Sequence, residues 1–261
     1  MSTSLQYSAD LQGKVTSDEE PLWVDAPEVR RGNLKLREVW MKARSEVDTA
    51  INVASKSKKI ETLKQQRARA GLRYIQNSMF VRLPTVRSST IRKLRLDRDS
   101  KRRIRFTKKT IELHYKGEVS YKTHATYGDM RQQVEDEQFE NDLREYRKVD
   151  RKILLRGKTS NYFFISGKTN KKFSRSSFRY QFKQGMTTAV GKPMGPQLLR
   201  DVVVTDFYQR EDMTATQRES FAAAMMHSVE AALKSYDRRN NSTRAEVGVS
   251  LAAELFQDAQ A

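Results

Sequence analysis

Three short stretches in the last third of the chain hold residue types suited to chemistry on a phosphodiester: Pro196-Gln197-Leu198-Leu199-Arg200-Asp201, Met226-His227-Ser228, and Tyr236. Breaking a phosphodiester concentrates negative charge on the non-bridging oxygens. A guanidinium, planar and always charged, stabilises that charge through paired hydrogen bonds. A nucleophile and a proton donor for the leaving oxygen complete the set. A tyrosine can be that nucleophile, forming a phosphotyrosine that keeps the bond energy for rejoining. Taken singly, each residue also has an ordinary structural role. Arg200, flanked by Leu199 and Asp201, could be a buried arginine paired with a carboxylate. His227 could end a helix, where its charged form favours the dipole, and Tyr236 could share an apolar helix face with Val229 and Leu233.

The charge balance points to a polyanionic partner. The 261 residues include 50 Lys and Arg against 32 Asp and Glu, a net charge of +18, and basic residues in such excess displace counterions condensed on phosphates. Residues 151–200 contain twelve Lys or Arg and no Asp or Glu. Tyr162, Phe163, Phe164, Phe173, Phe178, Tyr180 and Phe182 interleave with them, so this segment reads as a folded phosphate-binding surface with a core beneath it rather than a solvated tail. With no cysteine in the chain, disulfides, thiolate zinc sites and cysteine nucleophiles are excluded. His114, His124 and His227 are too few for a histidine-rich metal site, and no P-loop occurs, since Lys168 follows Gly167 without the preceding glycine pattern. No cofactor and no metal are expected. No stretch reaches the roughly 20 apolar residues of a membrane span, and Met1 to Glu20 lacks the pattern of a signal peptide. The expected setting is intracellular: the nucleus or a host-cell DNA compartment in a eukaryotic or viral context, the cytoplasm in a prokaryotic one.

In order and spacing these residues resemble the tyrosine recombinase and integrase family, whose members place an arginine in a His-x-x-Arg helix, a His in a Gly-His-Ser-like turn, and a nucleophilic Tyr nine residues later. His227 and Tyr236 reproduce that interval, and Leu198-Leu199-Arg200 followed by Val203-Val204-Thr205 is similar to the family's Leu-Arg-His-x-x-x-Thr stretch. The family's first arginine, which opens an Arg-x-Ser-Glu-Leu-x-x-Leu helix, is matched by Arg87 in Arg87-Ser88-Ser89-Thr90-Ile91-Arg92-Lys93-Leu94. Its hairpin lysine is matched by Lys122 in Tyr121-Lys122-Thr123-His124-Ala125-Thr126-Tyr127-Gly128, with Lys116 as the fallback. The resemblance covers about residues 70 to 240. It implies that Arg87 and Arg200 clamp the scissile phosphate of double-stranded DNA, that His227 and Gln197 add hydrogen bonds, that Tyr236 attacks phosphorus to form a 3′-phosphotyrosyl link, and that Lys122 protonates the departing 5′ oxygen. The departures are Gln197 where the family has its first His, Met226 where a Gly precedes the His, and Asp201 where a His is frequent. A separate N-terminal clamp domain is not evident. Two further readings stay open: a type IB topoisomerase with the same phosphotyrosine chemistry, and a non-catalytic DNA-binding protein on a decayed recombinase scaffold.

These side chains need a scaffold that the pattern of apolar residues outlines. Residues 1–32 read as a tail or small appendage, residues 33–240 as one catalytic domain, and residues 241–261 as a C-terminal tail helix, amphipathic enough to dock on a neighbouring copy and build a multimer on DNA. The fold class is α+β, mainly helical with a small antiparallel sheet. Helices are expected from Asn33 to about Phe80, with an end near Val81 and a new start after Pro84. Alternating apolar and polar residues from Arg103 to Tyr121 predict strands, with a turn at Lys116-Gly117-Glu118. Val134 to Asp150 reads as a helix with Phe139, Leu143 and Tyr146 on one face. Asn161 to Ile165 reads as a short strand. Helices follow at Phe178 to Gln184, Gln197 to Tyr208, Thr214 to Met226 and Val229 to Arg238. An unbroken helix from His227 to Tyr236 would separate them by about 13.5 Å, so a turn is expected between them, with Ser228 as the N-cap of the second helix.

Overall fold

The computed structural model describes residues 19–53, 58–83, 87–117, 125, 128–167, 169–208, 210 and 212–225. The chain is α+β and mainly helical. Two long helices, α1 (Ala26–Val53) and α2 (Lys58–Val81), lie against each other, and a one-turn helix α3 (Ser88–Ile91) follows. Strands β1 (Arg102–Phe106), β2 (Ile111–Tyr115) and β3 (Met130–Gln133) form an antiparallel sheet in that order. Helix α4 (Glu137–Glu145) runs through a π-helical turn (Tyr146–Asp150) into α5 (Arg151–Leu155). Helices α6 (Arg175–Val190), α7 (Pro196–Tyr208) and α8 (Ala215–Ala224) complete the order.

Helix α1 opens at Ala26, seven residues earlier than the sequence pattern predicts, because Val24, Ala26 and Val29 are all buried in the main core. Three apolar residues at the edge of a polar segment are a weak periodic signal, yet they suffice to fix the helix start. Trp40 of α1 is fully buried and stacks on Tyr74 of α2 at 5.5 Å. Gly71 makes this approach possible, since a Cβ there would fall 2.7 Å from Trp40 Nε1.

Ion pairs buried at one side of the core join the helices. Asp150 accepts hydrogen bonds from Arg67 Nε at 3.0 Å and from Trp40 Nε1 at 3.1 Å, while Asp142 accepts from Arg37 Nε and from the Tyr74 hydroxyl, both at 2.7 Å. Helix α4 is capped by Asp136, whose side chain accepts from the Phe139 amide. Phe139 and Leu143 of α4 and Tyr146 at the start of the π-helical turn share a buried face as their spacing predicts.

The helix end at Val81 and the restart at Ser88 agree with the break read at Pro84. The strands agree as well, with register Ile104 opposite Leu113 and Phe106 opposite Ile111. Thr107 and Thr110 close the β1–β2 hairpin, the Thr107 amide donating to the Thr110 carbonyl at 2.9 Å. The turn read at Lys116-Gly117 falls after β2, where Gly117 has φ +71° and its amide donates to Asp129 Oδ1 at 2.8 Å. Two elements differ. Strand β3 falls in a stretch where the sequence pattern predicts none. Asn161 to Ile165 is an internal loop with isolated bridges, Tyr162 to Arg95 and Ile165 to Lys172, rather than a strand of the sheet. Two of its carbonyls are taken by a side chain, Arg151 Nη2 donating to Tyr162 and Nε to Phe163, while the Asn161 carbonyl accepts from the Leu96 amide and the Phe163 amide donates to the Leu94 carbonyl. A buried guanidinium thus shares with the backbone of residues 94–96 the pairing that a sheet neighbour would otherwise supply.

Candidate functional site

The site begins where α3 and α6 converge. Arg87 is exposed and occupies the N-cap position of α3, its carbonyl accepting from the Thr90 amide at 2.8 Å. One turn on, Arg92 Nη1 donates to the Phe173 carbonyl at 2.6 Å, fixing α3 to the segment that leads into α6. That helix starts cleanly because Ser174 accepts from the Ser177 amide at 3.0 Å. Phe178 and Phe182 anchor it in the core. On its outer side, Arg175, Arg179 and Lys183 recur every fourth residue and so lie along one stripe.

After α6 the chain reverses at Gly191, whose φ of +74° is a left-handed cap that glycine adopts without strain. It returns alongside the same stripe, with a Cβ at Gly195 falling 3.6 Å from Arg179 Nε. Pro196 then opens α7, suited to a first helical turn that has no use for its missing N–H.

Together these elements enclose a cleft of about 720 Å³. Arg87, Arg92, Arg175, Arg179, Lys183 and Gln197 line it, and Glu19 is the one acid in its wall among the described residues. Like charges crowd beside it. Lys93 is held below the usual lysine range, by burial first and then by Arg102, Arg92 and Lys172. Burial, and then Arg92, lowers Arg102 as well. The cleft lining itself carries Arg87, Arg92, Arg175, Arg179 and Lys183 against Glu19 among the described residues, a surface suited to negative charge.

The sequence-predicted residues distribute as follows. Arg87 and Gln197, 110 positions apart, face the same cleft. The Gln197 amide also donates to Asp201 Oδ1 at 3.0 Å. Arg200 sits one helical turn beyond Gln197 but is 1% exposed, and its Nη2 donates to the Met225 carbonyl at 3.0 Å. Lys116 is exposed at the end of β2, outside the cleft lining, its amide bonded to the Lys101 carbonyl. Lys122, His227 and Tyr236 lie outside the described residues, as does the tail 241–261. Gln132 of β3 donates to the Ala224 carbonyl at 2.6 Å, so β3 and α7 both hold the last residues before Met226. Helix α8 reaches that point through a capping box, Thr214 with Gln217, and through stacking of Phe221 on Phe207 at 3.5 Å.

Arg179 and Lys183 had not been singled out as site residues from the sequence. The signal that would have found them is the four-residue interval from Arg175, on a helix whose buried side is marked by Phe178 and Phe182.

No family model and no curated protein matches the chain. Among solved structures, a crystal structure of XerA recombinase matches with a TM-score of 0.46 and 16% identity, covering 72% of this chain. The chain spans 61% of the length of that recombinase.

Proposed function

We propose that the chain binds double-stranded DNA and cleaves and rejoins its strands through a 3′-phosphotyrosyl intermediate, as a site-specific recombinase. The observation that carries this reading is the convergence of Arg87 and Gln197 on one cation-walled cleft, with Arg200 on the next turn of the helix bearing Gln197. These are the positions to which the resemblance gives the phosphate contacts. In the proposed reaction Tyr236 Oη attacks phosphorus and the 5′ oxygen leaves, taking a proton from Lys122. Arg87 and Arg200 stabilise the charge on the non-bridging oxygens, His227 and Gln197 donate further hydrogen bonds, and a 5′ hydroxyl from another strand reverses the step. Lys183, Arg179 and Arg175 hold flanking phosphates and carry no sequence information. The tail 241–261 is proposed to dock on a neighbouring copy, building a multimer on DNA.

The test is a nicked duplex that traps the covalent intermediate by letting the freed 5′ fragment diffuse away. Wild-type protein is expected to give an adduct that survives denaturation and is absent in Tyr236→Phe. Binding without any adduct would overturn the catalytic reading and favour a DNA-binding protein without chemistry. The engagement of the Gln197 amide with Asp201, at a position where the family has a proton-carrying imidazole, gives that second reading its support. Relaxation of supercoiled plasmid without joining of two duplexes would instead mark a type IB topoisomerase.

A further inference from the structure

A second cavity, of about 540 Å³, opens on the other side of α6 from the cleft. We propose that it is a nucleotide-binding site, taking one base with its phosphates. This goes beyond strand cleavage and stands whether or not the chain cuts DNA. The two sites are separated by the helix itself. At 100° per residue, Arg175, Arg179 and Lys183 of the cleft span about 80°, and Tyr180 and Gln181, which line the second cavity, fall outside that arc.

Three features of the lining specify the ligand. The first is charge. Arg69 and Arg73, one turn apart on α2, and Arg156, just past α5, face the cavity, and no Asp or Glu lines it among the described residues. Arg73 Nε is buried with no hydrogen-bond partner among the described residues, a state that costs free energy unless an acceptor arrives. The second is an apolar floor made by Leu72, Leu154 and Phe173, all buried. Inorganic phosphate has no use for such a floor, whereas a base does. The third is Tyr180, the one aromatic residue with an exposed ring among the described residues, at 60%. An exposed tyrosine beside arginines offers a stacking platform for a base, while the guanidiniums take phosphate. The volume lies within the roughly 300–1,000 Å³ of small-molecule sites.

Arg69 and Tyr180 are exposed, so both can be replaced without emptying the core. The experiment measures binding of ATP, inorganic tripolyphosphate and a short oligothymidylate to the full chain at about 0.15 M salt, where contributions of distant exposed charges are screened. ATP is expected to bind at least about tenfold more tightly than tripolyphosphate, the margin that one stacked base supplies. Tyr180→Ala should remove that margin, Arg69→Ala should weaken both ligands, and Arg175→Ala in the cleft should change ATP binding less than about twofold. ATP binding more tightly than oligothymidylate would identify a free nucleotide as the ligand, and oligothymidylate binding that is tighter and weakened by Tyr180→Ala a nucleotide within a strand. Equal binding of ATP and tripolyphosphate with no effect of Tyr180→Ala would overturn the proposal. So would an Arg175→Ala loss as large as that of Arg69→Ala.

Discussion

If the cleft holds a run of DNA phosphates, replacing the α6 stripe must change how binding responds to salt, and the size of that change can be worked out. Five cationic side chains line the cleft: Arg87, Arg92, Arg175, Arg179 and Lys183. Each phosphate contact on duplex DNA contributes a slope of about −0.9 to log K against log salt, so one contact per side chain gives about −4.5. Between 50 and 200 mM salt the wild type should then lose about 500-fold in affinity. The triple variant Arg175→Gln, Arg179→Gln, Lys183→Gln keeps two contacts and a slope of about −1.8, losing only about 12-fold over the same range. All three residues lie on the outer side of α6, with Arg175 and Arg179 exposed, so the fold should survive, and its thermal midpoint serves as the control. The assay is fluorescence anisotropy of a labelled duplex at several salt concentrations. Contacts elsewhere on this basic chain add the same amount to both slopes, so the difference of about 2.7 is the quantity to compare. A triple variant whose slope matches that of the wild type would remove the cleft from the DNA-binding surface and refute the reasoning.

Asp150 sets the pH dependence of the core. Burial raises its carboxyl to about 6, against the opposing pull of Arg67, from an ordinary value of 3.8. A folded value above the unfolded one contributes stability that is full below about pH 4 and is lost as pH rises through about 6, amounting to about 3 kcal/mol. Leaving Arg67 unpaired gives Asp150→Asn a fixed cost, but its stability relative to the wild type should rise by up to that amount from pH 4 to pH 7 in urea unfolding, and a difference that falls over this range would contradict the burial-dominated reading. Gly71→Ala should lower stability by up to about 2 kcal/mol, because overpacking against Trp40 costs about 1–3 kcal/mol and alanine's helix propensity returns about 1. A stabilised variant in thermal unfolding would show that Trp40, held by Asp150, can move. Thr214→Ala removes the capping box of α8 and should cost about 1 kcal/mol. Faster amide exchange confined to residues 217–225 would show it, whereas unchanged exchange would mean that the cap is dispensable.

The long helices and the first two strands of the sheet were legible because their periods are strong. Phe139, Leu143 and Tyr146 mark a helix face, and Ile104, Ile111, Leu113 and Tyr115 mark the buried side of a sheet. Asn161 to Ile165 misled because aromatic residues suit a strand and a buried loop equally well. The difference lies in Arg151, ten residues before Asn161, whose guanidinium takes the Tyr162 and Phe163 carbonyls. No local pattern reveals a side chain acting as a strand partner. The cleft was half legible. Arg87 and Gln197 could be found from residue order, but that they share a wall with Arg179 and Lys183 depends on the reversal at Gly191, a tertiary fact. The second cavity was not legible at all, since α2, α5 and α6 each supply a part of it.

Arg200 shows why burial alone does not settle the role of a charged residue. It is 1% exposed on a helix whose neighbours Leu198, Leu199, Val202 and Val204 are all buried and apolar. Moving a guanidinium from water into such a site costs several kcal/mol, and an apolar side chain of similar volume would hold the helix as well or better. Its bond to the Met225 carbonyl recovers part of that cost. The same bond, with that of Gln132 to Ala224, fixes the point from which the chain leaves toward His227. If Arg200 meets the phosphate as proposed, a carbonyl that orients it beforehand spares the reorganisation that a solvent-exposed arginine would undergo at the moment of reaction.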